Sequence, residues 1–265
     1  MTMGEDFLEK VAARKKADIE QAQNSRPEAS LRREAEQTPK KRGFISSLTT
    51  GEPDAVHIIA EIKRASPSRG EIRAGLDPAE LARAYAAGGA SALSVLTEPH
   101  WFQGSVSDLQ AARAATALPV LRKDFVISAY QVYESAVIGA DAVLLIAAIL
   151  SAGELADLLA LCRDLGLDAL VEIHSQQDLE TVRSSNARLV GINNRNLRSL
   201  ETDIGTAAAM AGGLGPDQVP VAASGIRRRE DIEKMLGHGI RRFLIGEHLV
   251  RSDAPEKLLR ELILC

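Results

Sequence analysis

The segment AVLLIAAILSAGELADLLALCRDLGLDALVEI, residues 142–173, decides the fold. Its uncharged apolar run, Ala142–Leu150, supplies a strand over Ala142–Ile146; the amphipathic stretch Ser151–Leu165, opened by Ser, has helix composition; and Ala169–Ile173 is apolar again. Short Val/Ile/Leu-rich runs read as strands, and Ser ahead of an amphipathic stretch reads as a helix start. One strand, one helix and a second strand therefore occupy about thirty residues, the size of a parallel crossover unit.

The same unit recurs along the chain. Strand-like runs occupy Val56–Ile62, Ala92–Leu96, Pro119–Lys123, Ala142–Ile146, Ala169–Ile173, Leu189–Ile192, Val219–Ala223 and Arg242–Ile245, eight in all. Between them Asp77–Ala87, Ala129–Ile138, Ser151–Leu165, Gln176–Arg183, Asp203–Ala211 and Arg228–Leu236 have helix composition, and Ala254–Ile263 follows the last strand. Near-continuous apolar strands joined by helical crossovers imply a parallel sheet covered on both faces. Eight such units favour an α/β fold of the closed (β/α)8 (TIM) barrel type. A doubly wound open sheet is the weaker alternative, because the first strand is followed by KRASPSRG (63–70) and not by a Gly-rich turn.

Ahead of the first strand, Glu5–Gln23 places Phe7, Leu8, Val11, Ala12 and Ile19 at helical spacing, followed by a charged, Pro-interrupted connector. The expected organisation is a single barrel domain over residues 1–265, of which 1–50 is an N-terminal helical extension. That extension either packs over the barrel mouth or caps the barrel's exterior.

Composition excludes several classes. The 265 residues are 45% hydrophobic, enough for a large core, and their net charge of −4 gives no cationic surface for nucleic acid or an anionic membrane. Ala142–Leu150, the longest uncharged apolar run, is too short to span a bilayer, and the charged N-terminus lacks a signal core. With two cysteines, Cys162 and Cys265, there is no disulfide framework, so the expectation is a cytoplasmic protein. His57, His100, His238 and His248 show no metal-ligand spacing.

In a barrel of this type the pocket lies at the C-terminal ends of the strands, and here those ends are polar. The first ends in Glu61-Ile-Lys63, the third in Leu121-Arg-Lys-Asp-Phe125, the fifth in Glu172-Ile-His174, the sixth in Gly191-Ile-Asn-Asn-Arg195 and the seventh in Ala223-Ser-Gly225. Because side chains alternate, Glu61 and Lys63 share a face, as do Leu121, Lys123 and Phe125. If that face is the interior, amines and carboxylates converge and perturb one another's proton affinities, which separates acid from base roles. One Glu–Lys pair at a strand end would be an ordinary ion pair; recurrence on several strand ends points to proton transfer and anion binding. His174 alone is better read as a loop or helix-start residue. Ser224-Gly225-Ile226 and Ile245-Gly246-Glu247 follow the last two strands, where barrels commonly bind phosphate, and Lys63 and Ser66 are placed to reach the same anion.

The motifs EIKRASPS (61–68), LTEPHWFQGS (96–105), LRKDF (121–125), LVEIH (170–174), GINNRNL (191–197) and SGI (224–226) together resemble the indole-3-glycerol phosphate synthase family of tryptophan biosynthesis. The resemblance runs from about residue 44 to the C-terminus, behind a family-like N-terminal helix. It implies a carboxy-lyase that closes 1-(o-carboxyphenylamino)-1-deoxyribulose 5-phosphate to indole-3-glycerol phosphate with loss of carbon dioxide and water, without cofactor or metal. The partner implied is this small phosphorylated substrate, taken by a monomer that makes at most transient contacts with neighbouring pathway enzymes.

Residue by residue, the resemblance makes Lys123 the general acid toward the substrate carbonyl and Glu172 the general base. It makes Lys63 the holder of the anthranilate carboxylate, with a share in proton transfer during dehydration. Glu61 tunes the lysines and Asn193 positions a substrate hydroxyl. Ser66, Ser224, Gly225, Gly246 and Glu247 match the phosphate side, Glu247 through its backbone N–H. Phe102, Phe125, Leu144 and Leu197 match the apolar wall around the ring, and Arg195 completes the substrate contacts.

One position departs: the family usually has Glu where this chain has Ala223, so the pocket lacks one carboxylate, which lowers its lysine pKa values relative to family members. Two alternatives stay open. One is another phosphosugar barrel, an Amadori-type isomerase or a Schiff-base lyase using Lys123 or Lys63 as nucleophile. The other is a phosphate-binding barrel weakened or silenced by Ala223.

Overall fold

A computed structural model describes residues 3–67, 69–196 and 201–264, with side chains from residue 7 onward. Eight parallel strands close a barrel: β1 (His57–Ile62), β2 (Ala92–Leu96), β3 (Val120–Lys123), β4 (Ala142–Ile146), β5 (Asp168–Ile173), β6 (Leu189–Asn193), β7 (Val219–Ala223) and β8 (Arg242–Ile245). Each strand pairs with its sequence neighbours, and β8 returns to β1 through His57↔Arg242 and Ala60↔Ile245. The expected closed barrel is thus present and the weaker alternative of an open sheet is excluded, since no barrel strand is left with a free edge.

Strand alternation divides the apolar residues into two cores. Ile58, Ala60 and Ile62, with Val143, Leu145, Val171, Ile173, Val190 and Ile192, face outward and pack beneath the surrounding helices. Ile59, Leu121, Ala142, Leu144, Ile146, Leu170, Leu189, Val221, Ala223 and Leu244 fill the interior. By the same period of two, Glu61, Lys123, Glu172 and Asn193 continue the inward rows at the C-terminal ends of their strands.

The crossover helices are α4 (Pro78–Ala87), α6 (Val106–Ala115), α7 (Ala129–Val137), α8 (Ala152–Asp164), α9 (Gln176–Arg183), α10 (Gly205–Ala211), α11 (Arg229–Leu236) and α13 (Pro255–Ile263), with short α5 (Pro99–Phe102) and α12 (Glu247–Val250) after β2 and β8. Their starts follow capping chemistry: Asp77 accepts from the N–H of Ala79 and Glu80, and Ser151 with Glu154 forms a capping box.

Before the barrel come α1 (Met3–Ser25), α2 (Glu28–Ala35) and α3 (Phe44–Thr49). Different pieces of this segment lie at the two ends of the barrel. Helix α3 closes the N-terminal end of the barrel: Phe44, Ile45 and Leu48 join the interior core, Ile45 N–H donates to Asp168 at 2.8 Å, and Arg242 Nε donates to the Leu48 carbonyl at 2.9 Å. The connector is strapped down by Arg42, whose N–H donates to Asp141 at 2.7 Å and whose guanidinium reaches the carbonyls of Thr116 and Leu118. Helix α1 lies at the opposite end, with Phe7, Leu8 and Val11 packed on the interior core beside Trp101 and Phe102. Phe7 meets the Trp101 ring edge-on at 5.7 Å.

Phe44→Ala empties the fully buried plug and is expected to cost about 3–5 kcal/mol in urea unfolding. A loss under about 1 kcal/mol would mean that the plug does not seal the barrel floor.

Candidate active site

The mouth holds two ion pairs. Lys63 Nζ donates to Glu61 Oε1 at 2.7 Å across one strand end, and Lys123 Nζ donates to Glu172 Oε2 at 3.2 Å between β3 and β5. Glu61 and Glu172 are buried, while both lysines retain slight exposure. Burial pulls the Lys123 ammonium down, but Glu172 and then Glu61 outweigh it and hold its pKa above the ordinary lysine value. Burial pushes the Glu172 carboxyl up; Lys123 and His174 reverse this and hold it well below the usual carboxylate range. An ammonium and a carboxylate thus stand charged side by side, a proton donor beside a proton acceptor.

Asn193, at the end of β6, donates to Glu172 Oε1 at 3.3 Å, and its Oδ1 accepts from the Arg195 N–H at 3.0 Å. The Arg195 side chain turns to Thr202 Oγ1 at 3.4 Å. Phe102 and Phe125 stand with ring centroids 6.3 Å apart, and Leu144 lies on the interior row beneath. Leu197 lies outside the described residues.

On the other side, Ser66 sits in a two-stranded hairpin formed by Ala65–Ser66 and Gly70–Glu71, and its buried Oγ has no partner. Ser224 and Gly225 are successive residues with positive φ, 68° and 84°. For Ser224 that conformation costs about 1–2 kcal/mol, the kind of strain kept where a backbone is aimed at something. A side chain at Gly225 would also strike Thr202 and Ile204. At Gly246 the space of an absent Cβ is taken by the Glu61 carboxylate, so Gly246 supports the Glu61–Lys63 pair as well as the loop. Glu247 directs its carboxylate to Arg251 at 3.3 Å and Arg69 at 3.7 Å. Among the described residues no group of three or more His, Cys, Asp or Glu could hold a metal ion.

Two residues outside the sequence-derived set join the site. His174 follows β5 in the loop expected for it, but its side chain is only 8% exposed, with Nε2 at 3.1 Å from Glu172 Oε1. The signal was present: Glu172 and His174 are two apart, as Glu61 and Lys63 are, and share the inward face by the same alternation. Lys15 of α1 is the other. Its buried amine pairs with Asp124 at 2.7 Å, next to Lys123, and lies 3.8 Å from Glu98. Glu98, fully buried, accepts from the N–H groups of His100, Trp101 and Phe102, capping the short helix that carries Phe102. Asp124 also holds Arg122 and Thr97 Oγ1, and these partners overcome burial to keep its carboxyl low. No local pattern marks Lys15, because its partners lie about a hundred residues away.

The indole-3-glycerol phosphate synthase family model matches residues 8–262. The chain belongs to the indole-3-glycerol phosphate synthase family. It is 53% identical to the indole-3-glycerol phosphate synthase of Desulfosudis oleivorans over 259 residues, covering 97% of this chain and 98% of that one. The synthase of Syntrophobacter fumaroxidans is 46% identical over 257 residues, 97% of each chain. Solved structures similar in fold alone include thiamine phosphate pyrophosphorylase from Pyrococcus furiosus, with TM-score 0.59 and 13% identity over 79% of this chain and 95% of that one. A chain of the tryptophan synthase complex from the same organism gives 0.57 and 12%, over 79% of this chain and 97% of that one. The family match and these relatives span nearly the whole chain.

Lys15→Met leaves Asp124 and Glu98 short of a cation in a buried setting and is expected to cost about 3 kcal/mol of stability by denaturant unfolding. No change would mean that Arg122 alone balances the cluster.

Proposed function

We propose that this barrel closes 1-(o-carboxyphenylamino)-1-deoxyribulose 5-phosphate to indole-3-glycerol phosphate, releasing carbon dioxide and water, with Lys123 as general acid and Glu172 as general base. The observation that carries this reading is the Lys123–Glu172 pair, both members charged, at the strand end that also carries Phe125, whose ring is tilted against that of Phe102. Lys123 gives its proton to the ketone oxygen as the ring carbon attacks, which spares the transition state a naked alkoxide. Carbon dioxide then leaves from the attacking ring carbon, returning the electron pair that restores the aromatic ring; the new hydroxyl departs as water with a proton from Lys63, and Glu172 takes the proton from the neighbouring carbon whose loss completes the indole.

Lys63, steadied by Glu61, holds the anthranilate carboxylate and shares in proton transfer during dehydration, and Asn193 positions a sugar hydroxyl. Ser66, Ser224, Gly225, Gly246 and the Glu247 N–H take the phosphate; the unpartnered Ser66 hydroxyl and the positive-φ turn support that side. Phe102, Phe125, Leu144 and Leu197 wall the ring, and Arg195 lies beside Asn193 at the substrate's edge. No cofactor or metal enters any step.

A Schiff-base lyase is disfavoured because an imine-forming lysine must be unprotonated, whereas Lys123 is held above the ordinary lysine value by its two carboxylates. The same reading treats residues 1–265 as one barrel domain with 1–50 as its extension, acting as a cytoplasmic monomer with at most transient contacts to neighbouring pathway enzymes. It is supported by Leu264 being the one exposed large hydrophobic among the described residues, and by no described helix being long and apolar enough to cross a membrane.

Incubation with the carboxyphenylamino substrate is expected to produce indole fluorescence, and Lys123→Met should lower kcat by about a hundredfold to ten-thousandfold. Folded wild-type protein without turnover would overturn the reading, as would a covalent adduct trapped on lysine by borohydride. Ala223, on the inward row opposite Asn193, supplies a further test. Ala223→Glu restores the carboxylate usual in the family and is expected to raise kcat; an unchanged or lower value would show that Glu61 and Glu172 suffice for the lysines.

A further inference from the structure

The Glu172 carboxylate has three donors, and only one of them is a cation that the proposed chemistry consumes. Oε2 accepts from Lys123, while Oε1 faces His174 Nε2 at 3.1 Å and Asn193 Nδ2 at 3.3 Å. His174 Nε2 also lies 3.2 Å from Asn193 Nδ2, which has hydrogens only to give. Its side chain is only slightly exposed, and its buried Nδ1 has no hydrogen-bond partner among the described residues. A carboxylate oxygen at Nε2, and no acceptor among the described residues at Nδ1, favour the tautomer whose proton is on Nε2 and points at Glu172, with Asn193 giving its hydrogen to Glu172 Oε1.

We propose that His174 is a positioning residue for the ring closure: its Nε2–H pins Glu172 Oε1, keeping the carboxylate in place and ready to accept a proton after Lys123 has given its own to the substrate.

The argument rests on the acid and base roles proposed above. When Lys123 hands its proton to the ketone oxygen, its ammonium becomes a neutral amine and the ion pair with Glu172 ends. A buried carboxylate then has only its remaining hydrogen bonds to hold its rotamer and its charge. Glu172 is faced by Lys123 from β3, by His174 from the end of its own strand and by uncharged Asn193 from β6; β4 presents the apolar Ala142, Leu144 and Ile146 on its inward row. Glu61 acts on this set through Lys123. His174 is thus the one further titratable donor on the carboxylate. Its own backbone is anchored by the His174 N–H donating to Asp178 Oδ2 at 2.8 Å, which fixes the start of α9 and the direction of the ring.

The test compares His174→Leu, which removes the donor, with His174→Gln, whose amide N–H reaches the same distance along its side chain. His174→Leu is expected to lower kcat on the order of tenfold to a hundredfold with KM within about threefold, as misplacement of a reacting group does. His174→Gln is expected to recover kcat to within about threefold of wild type. The carboxyl 13C signal of Glu172, titrated without substrate, should move to higher pH in His174→Leu and stay near wild type in His174→Gln. Where His174→Leu does not fold, His174→Phe fills the same space without a donor. Equal kcat in wild type and His174→Leu, a Gln variant no better than Leu, or an unmoved Glu172 titration would each overturn the proposal. Failure of the wild type to turn over the substrate would instead overturn the ring-closure reading, leaving the titration to decide the role of His174.

Discussion

An ammonium at the mouth of an apolar barrel is stable only if carboxylates share its enclosure, and Lys123 meets that constraint through Glu172 and Glu61. Much of the site follows from it. Glu172 must be held low in proton affinity, which needs Lys123 on one oxygen and hydrogen-bond donors on the other. Glu61 must lie close enough to serve two lysines, and the room for its carboxylate is the missing side chain of Gly246. The charges are therefore mutually dependent: removing one member changes the proton affinity of the next.

Around this set the fold separates tasks between the barrel's two ends. The floor is closed by Phe44, Ile45 and Leu48, a purely apolar plug tied to strand starts by Asp168 and Arg242. The mouth is braced by polar ties from α1, where Lys15 meets Asp124 and Glu98. Asp124 adjoins Lys123 in sequence and Glu98 caps the helix of Phe102, so α1 is tied to the segments that carry both. Ala223 occupies an inward position between these features, and its small size leaves the charge balance to Glu61 and Glu172.

All eight strands were legible, because a strand covered on both faces must be apolar throughout and each run was bounded by turn or helix-start residues. The boundaries moved by a residue at Val56, Pro119, Asp168 and Asn193, where flanking residues pair or fall out of the ladder. The charged ends were legible too, since two-residue alternation put Glu61 with Lys63 on one face. That argument applied equally to Glu172 and His174, yet a single histidine after a strand resembles an ordinary loop residue until its neighbours are known. Helix α2 was hidden in a charged connector whose few apolar residues, Leu31 and Ala35, are buried only by tertiary packing. The short α5 depends on Glu98 as a buried cap, and the Ser66 hairpin on pairing across four residues; neither has a period long enough to read. Lys15 was illegible for a different reason, its counterions lying far off in sequence.

The most direct test of this account is the titration of the Lys123 ammonium by 15N NMR of its side chain, in wild type and in Glu172→Gln. The account predicts a wild-type pKa above the ordinary lysine value of about 10.4 and a clear fall when Glu172 loses its charge. A wild-type value near or below neutrality would contradict it, since Lys123 would then stand as a free amine and burial, not its carboxylates, would govern the site.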